Sequence, residues 1–207
     1  VLDELLTIER KITGDLRVKN IQLRNELNII KTHNNTIKKN HAKVIEKNKK
    51  NPFFLYYASP LPHVPLQAPK KWVNYYIDKF GDESPYTGKS YFPNFSPRAT
   101  YAAMISYLDE QVGDLIKKLK EIGQYENTLI IFTSDNGPTY TGGADTPFFD
   151  SAKPFKTEYG WAKGFVHEGG IRVPMIASWP GKIVSGSRSS HLSAFQDMMP
   201  TFCDIVG

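Results

Sequence analysis

Four consecutive apolar residues, Leu129-Ile130-Ile131-Phe132, stop abruptly at Ser134-Asp135-Asn136-Gly137-Pro138. No other stretch constrains the fold of this chain as much. The run predicts a buried strand, and the residues after it put a carboxylate and an amide at the strand's C-terminal edge. Open α/β sheets bind their ligands at that edge. Asp and Asn oxygens are hard donors, better suited to Ca²⁺ or Mg²⁺ than to a soft metal. The same residues also spell a turn, since Asn-Gly is a strong hairpin signal and Asp tolerates turns. On these residues alone the two readings stand level.

The surrounding chain alternates helix and strand. A helix is predicted from Thr36 to Lys49, then a short apolar strand over Pro52-Phe53-Phe54-Leu55-Tyr56-Tyr57-Ala58. Residues 59–69 carry four prolines and read as a rigid, extended loop. A long helix begins with Ser96 at the N-cap and Pro97 in the first turn. Tyr101, Ile105, Leu108, Val112, Leu115, Leu119 and Ile122 step by threes and fours along one stripe, and Gly123 stops it at the C′ position. The strand ending at Phe132 follows, then a long Gly- and Pro-rich loop, a third strand from Val173 to Trp179, and a final helix from Asp197 to Val206. This order predicts an α/β fold, a mixed or parallel sheet with helices on both faces. Residues 1–35 are basic and show irregular helical spacing broken by Gly14; they stay an unplaced segment.

Charge and cysteine usage narrow the function classes. The net charge is +5, but residues 1–50 hold 12 Lys+Arg against 6 Asp+Glu, so the excess lies in the N-terminal quarter. No aromatics interleave with those lysines, which argues for a solvated helical face and against nucleic-acid binding. No apolar run is long enough to span a bilayer, and the N-terminus lacks a signal-peptide pattern. The single cysteine, Cys203, excludes an internal disulfide and any multi-cysteine zinc site; its apolar setting predicts a buried small hydrophobe.

Three loops form a set. In Pro62-His63-Val64-Pro65-Leu66, prolines on both sides restrict the backbone that carries the imidazole. The second loop is Ser134 to Pro138. The third runs Lys163-Gly164-Phe165-Val166-His167-Glu168-Gly169-Gly170-Ile171-Arg172-Val173-Pro174. Taken singly, each reads as an ordinary surface loop. Together, an imidazole, an ammonium group and a carboxylate–amide metal pair are the parts that hold a tetrahedral oxyanion.

In this arrangement the chain resembles the type I sulfatases, the arylsulfatase-like branch of the alkaline-phosphatase-like superfamily. The matching text is Pro52 to Tyr56, Pro62 to Leu66, Tyr101 to Gly113 with Leu108-Asp109, Thr133 to Pro138, Glu168 to Pro174, Trp179-Pro180-Gly181 and Asp197 to Thr201. These stand in family order over about residues 36–207. The resemblance implies the C-terminal half of a sulfatase catalytic domain, with a partial alkaline-phosphatase-like mixed sheet incomplete at both ends. It implies Asp135 and Asn136 as ligands of a divalent cation, Ca²⁺ first and Mg²⁺ second. It also implies His63 contacting the sulfate and protonating the leaving alcohol, and Lys163 binding a sulfate oxygen. Glu168 and Arg172 match the family signature and are assigned a structural role at the loop-to-strand junction. The implied partner is a sulfated small molecule or sulfated glycan, and the implied compartment is periplasmic, extracellular or lysosome-like.

The departures are equally specific. Such sulfatases use a formylglycine made from Cys or Ser in a Cys/Ser-x-Pro/Ala-x-Arg motif, and this chain has none. The family's N-terminal pair of Asp ligands and its C-terminal small domain are also missing. The expectation is a fragment, inactive alone, with an uncovered apolar edge or face. Two rivals remain: a phosphodiesterase or phosphonate hydrolase of the same superfamily, and a non-catalytic binding remnant. Substrate contacts are expected in loops 82–94 and 139–159, where Tyr86, Tyr91, Phe92, Tyr140, Phe148 and Phe149 suit a sugar or aryl ring. His63, Asp135 and Lys163 should meet at one sheet edge within roughly 10 Å, the scale of a small-ligand pocket.

Overall fold

A computed structural model describes residues 39–207. The unplaced segment 1–35 and the predicted helix start at Thr36 lie outside those residues. The described chain opens in helix α1 (39–47). It continues through α2 (Lys70–Phe80), α3 (Pro97–Glu121), β1 (Ile130–Thr133), α4 (Thr146–Phe149), α5 (Glu168–Ile171), β2 (Met175–Ser178) and α6 (Met198–Val206). Short 3₁₀ turns precede β1 and α6 at Tyr125–Asn127 and Phe195–Asp197.

The long helix forms where the sequence predicts it, but its cap is not the predicted one. Ser96 occupies the N-cap with Pro97 behind it, and the Ser96 side chain caps nothing. Instead the Glu83 carboxylate accepts from Arg98 N–H at 2.6 Å and Ala99 N–H at 3.0 Å. A negative charge on the orphan amides of a helix start is favourable both as a hydrogen-bond acceptor and against the helix dipole. The helix ends at the predicted glycine, Gly123, whose φ of +70° is the left-handed conformation that glycine adopts without strain.

Packing on α3 differs from the predicted stripe. The buried face near its start is small and apolar, Ala99, Ala102, Ala103 and Met104, whereas Ile105 is 45% exposed. Small residues let the 59–69 loop approach closely. Its Leu61, Val64 and Leu66 form a buried cluster with Met104, and Gln67 N–H points at the Met104 sulfur at 3.3 Å. The proline-rich loop is therefore part of the core. Helix α2 packs on α3 by polar ties as well: Trp72 Nε1–H donates to Glu110 Oε2 at 2.7 Å, and the Tyr76 and Ser106 hydroxyls meet at 2.8 Å.

The sheet is smaller than expected. β1 and β2 form one antiparallel pair, with Ile130 opposite Ser178 and Thr133 opposite Met175. The predicted strand at 52–58 joins no ladder; it runs as irregular chain. Its side chains nevertheless alternate: Phe53, Leu55 and Tyr57 are half-buried while Phe54, Tyr56 and Ala58 are exposed. Tyr57 reaches the α1–α3 side, stacked edge-on with His41 and bonded to Gln111, and Phe54 faces Phe202 of α6 at 5.6 Å. The segment has the two-faced pattern of a strand with helices on either side, and lacks only the backbone partner that makes a strand.

Two further expectations change. β1 is partly exposed, not buried, and β2 is mostly exposed, because no third strand lies beside the pair among the described residues. Cys203 is an exposed free thiol, since α6 buries none of its residues. Large apolar side chains such as Phe54, Tyr56, Ile176, Leu192, Met199 and Val206 are all more than half exposed. No described helix is long and apolar enough to cross a membrane.

Candidate active site

Two of the three loops singled out by sequence, 134–138 and 163–174, are held together by backbone contacts that only glycine permits. Gly137 N–H donates to Gly170 O at 2.9 Å. A Cβ on Gly137 would lie 1.8 Å from Gly169 O; one on Gly169 would lie 2.6 Å from Trp161 O; one on Gly170 would lie 2.3 Å from Phe165 O. The Gly-Gly pair of α5 is thus a spacer-free junction between the Asp135–Gly137 turn and the loop carrying Lys163. A second tie, Lys163 N–H to Pro138 O at 2.9 Å, joins the same two loops directly. The two loops that carry Asp135 and Lys163 are thus neighbours along their backbones.

Asp135 is exposed and Asn136 half-buried at the end of β1. Asn136 Nδ2 donates to Gly137 O at 2.9 Å, which leaves its Oδ1 uncommitted, and Ser134 Oγ donates to Asn136 O at 3.0 Å. The donor chemistry suits a hard divalent cation. Two such oxygens fill only part of the six to eight positions that Ca²⁺ takes, and no group of three or more His, Cys, Asp or Glu side chains among the described residues could hold a metal ion.

His63 sits on the rigid loop whose Leu61, Val64 and Leu66 are pinned in the core, while its own side chain is exposed. Its Nδ1 lies 2.6 Å from Val64 O, a carbonyl that can only accept, so in the neutral ring Nδ1 carries the proton. The ring stands edge-on to Tyr91 at 6.4 Å. The 139–146 loop touches the same place, because a Cβ on Gly142 would meet Val64 Cγ1 at 2.5 Å. His63 itself makes no hydrogen bond with Asp135, Asn136 or Lys163; its loop joins theirs through Val64 and Gly142.

Glu168 and Arg172 pair with each other at 2.9 Å, and the guanidinium lies over Phe155 at 5.2 Å, which holds the α5-to-β2 junction. Several candidate aromatics are committed elsewhere. Phe148 and Phe149 stack with Phe80, and Arg98 lies 4.1 Å over Phe148 while its Nε–H donates to Asp145 at 2.7 Å. Tyr86 OH accepts from Ser90 and Tyr91 N–H. The sequence reading missed Trp161 and Phe165, whose only signal was an aromatic on either side of Lys163.

The described residues form a mixed α/β structure in which a strand ending on Asp-Asn is locked by glycines to a lysine loop. Comparison with known proteins narrows the class. The sulfatase family model matches residues 11–207, and the chain belongs to the sulfatase family. N-acetylgalactosamine-6-sulfatase of Rattus norvegicus is 28% identical over 200 residues, 94% of this chain and 30% of that protein. Arylsulfatase A of Homo sapiens is 31% identical over 159 residues, 75% of this chain and 25% of that protein. The solved structure of Ps i-CgsB in complex with k-i-k-neocarrahexaose aligns with a TM-score of 0.64 and 34% identity, over 83% of this chain and 33% of that one. The structural relatives are sulfatases of alkaline-phosphatase-like fold. The chain spans about a third of the length of the proteins it matches.

Proposed function

We propose that the protein carrying this chain is a sulfuric ester hydrolase that cleaves a sulfate monoester, and that Asp135, Asn136, His63 and Lys163 are this chain's share of the active site. The observation that supports the reading is the Lys163–Pro138 backbone bond, which ties the main chain of the Lys163 loop to the residues that follow the Asp135–Asn136 turn. Hydrolysis turns ester and water into alcohol and hydrogen sulfate, breaking the bond between sulfur and the bridging oxygen. The sulfate oxygens need positive charge around them, and the departing oxygen needs a proton. The Lys163 ammonium answers the first need. His63 answers the second: with Nδ1 held on Val64 O, its protonated form carries a further proton on Nε2, and that proton passes to the departing oxygen as the bond breaks.

A divalent cation, when bound, adds charge stabilisation at the sulfate oxygens. Asp135 and the Oδ1 of Asn136 are the ligands this chain offers, hard oxygens suited to Ca²⁺ first and Mg²⁺ second, as the resemblance to the family implies. No side chain here fits a formylglycine precursor, since Cys203 lies in α6 outside any Cys-x-Pro/Ala-x-Arg motif. The 207 residues alone are accordingly inactive in this reading, and 36–207 form the second half of a catalytic domain. A sulfated glycan is the substrate class, supported by a relative that is an N-acetylgalactosamine-6-sulfatase and by a structural neighbour holding a neocarrahexaose.

The test uses the full-length protein with 4-nitrophenyl sulfate and N-acetylgalactosamine 6-sulfate, with Ca²⁺ and after chelation. Lys163→Ala should lower the rate by about two orders of magnitude, the usual scale for one preorganised charge stabiliser. Asn136→Ala should raise the Ca²⁺ concentration needed for half-maximal rate. A Lys163→Ala enzyme that folds and turns over within threefold of wild type would refute the assignment.

A further inference from the structure

Four residues before Lys163 the chain carries an exposed aromatic ring, Tyr159. Tyr159 is 78% exposed, the most exposed aromatic of its loop. It is not loose: its ring stands edge-on to Tyr140 at 5.3 Å and to Phe165 at 5.6 Å, so two rings buttress it. Tyr140 is itself fixed, its hydroxyl donating to Glu158 O and accepting from Trp161 N–H at 3.3 Å. These bonds and the Lys163–Pro138 bond zip the 138–141 segment to the 158–163 segment on either side of Tyr159. The neighbouring Trp161 is committed by contrast, stacked on His167 at 4.2 Å with the Lys156 ammonium 4.3 Å over its ring. A buttressed, exposed ring four residues from Lys163 offers a held, solvent-facing aromatic surface.

We infer that Tyr159, braced by Tyr140 and Phe165, is the platform against which a sugar ring of the sulfate ester stacks while Lys163 holds the sulfate. This rests on the reading of Lys163 given above and adds the substrate's carbohydrate part to it. An ammonium group answers the anion; the apolar face of a pyranose ring answers the flat aromatic face. A phenol keeps that face rigid at little conformational cost, having two side-chain torsions. Tyr159 is thereby a specificity-determining residue that acts on the ring and not on the sulfur.

The experiment compares full-length wild type, Tyr159→Ala and Tyr159→Phe. Three readings are taken: KM and kcat for N-acetylgalactosamine 6-sulfate, calorimetric binding of k-i-k-neocarrahexaose, and competitive inhibition by inorganic sulfate. Tyr159→Ala should weaken the saccharides about tenfold, the scale of losing one aromatic contact, through KM and not kcat. Inhibition by inorganic sulfate should stay unchanged, and Tyr159→Phe should behave as wild type. Equal saccharide KM and affinity in wild type and Tyr159→Ala overturns the platform while the sulfate site stands. A parallel loss of sulfate inhibition also overturns it, because Tyr159 would then only support the loop. A wild-type protein that neither cleaves sulfate esters nor binds inorganic sulfate overturns both readings together.

Discussion

Replacing Gly137 by Ala should damage the site more than the same change at any other described glycine. The added Cβ would sit 1.8 Å from Gly169 O and 2.9 Å from Gly169 C, where side-chain carbons are essentially never found closer than 3.0 Å. The obstructing atoms are backbone, so no rotamer relieves the overlap. The Ser134–Pro138 turn and α5 must separate by at least the 1.2 Å between 1.8 and 3.0 Å. The 2.9 Å bond from Gly137 N–H to Gly170 O does not survive that separation. A lost buried hydrogen bond costs about 1 kcal/mol and forced overpacking about 1–3 kcal/mol, giving roughly 2–4 kcal/mol in all. Because Asp135 and Asn136 ride on the displaced turn, activity should fall by about 10²-fold, the effect of a misplacement near 1 Å. Gly113→Ala is the control: it lies inside α3 with open space around its Cβ, and should stabilise by about 0.5–1 kcal/mol with unchanged rate. Thermal unfolding and 4-nitrophenyl sulfate turnover of the full-length variants decide the matter. Wild-type melting and wild-type rate in Gly137→Ala would show that the two loops do not depend on their close approach.

Two smaller predictions concern the frame. Glu83→Ala removes the acceptor of Arg98 and Ala99 N–H, and should cost about 1–2 kcal/mol of stability by urea unfolding, the scale of a lost helix cap, while Ser96→Ala should cost almost nothing. At the other end of α3, hydrogen bonds from Lys118 and Lys49 hold the Glu46 carboxyl down at about 2. Its folded value lies below the ordinary 4.5, so its stabilisation is complete above that pH and disappears as the pH falls towards about 2. The difference in melting temperature between wild type and Glu46→Gln should close over that window and shrink with added salt, because the pairs are exposed to solvent. A difference that persists at pH 2 would mean the carboxylate's charge is not what stabilises.

What could be read from the sequence was local and periodic. α3 was legible because a stripe of threes and fours, a Ser-Pro start and a glycine stop agree with one another. β1 and α6 were legible for similar reasons. α2 was equally available: Trp72, Val73, Tyr76, Ile77 and Phe80 recur at helical spacing, and Gly81 closes the helix at φ +73°. The sequence reading leaves 70–80 unassigned after the four prolines of 59–69, although Pro69 is simply the helix's N-cap. The segment 52–58 failed for a different reason. Its composition is that of a strand and its exposure alternates as a strand's does, but strand is a property of pairs, and no described segment pairs with it. Cys203 follows the same rule, since an apolar neighbourhood in sequence becomes a buried one only where something lies over it.

The candidate site shows where sequence reasoning reaches furthest. His63, Asp135, Asn136 and Lys163 are identifiable as residue types able to do a job, yet nothing in their spacing says that they meet. The information that joins Asp135, Asn136 and Lys163 sits in residues with no chemistry at all. Gly137, Gly169 and Gly170 each stand where a single methyl group would strike a carbonyl. Leu61, Val64 and Leu66 anchor the loop that carries the imidazole by being buried with Met104. Function in this chain therefore depends on two classes of position: polar groups that can be replaced at the expense of activity alone, and small or apolar ones whose replacement moves the polar groups. The second class should lose activity and stability together, the first activity only. Lys163→Ala and Gly137→Ala, measured side by side, separate the two.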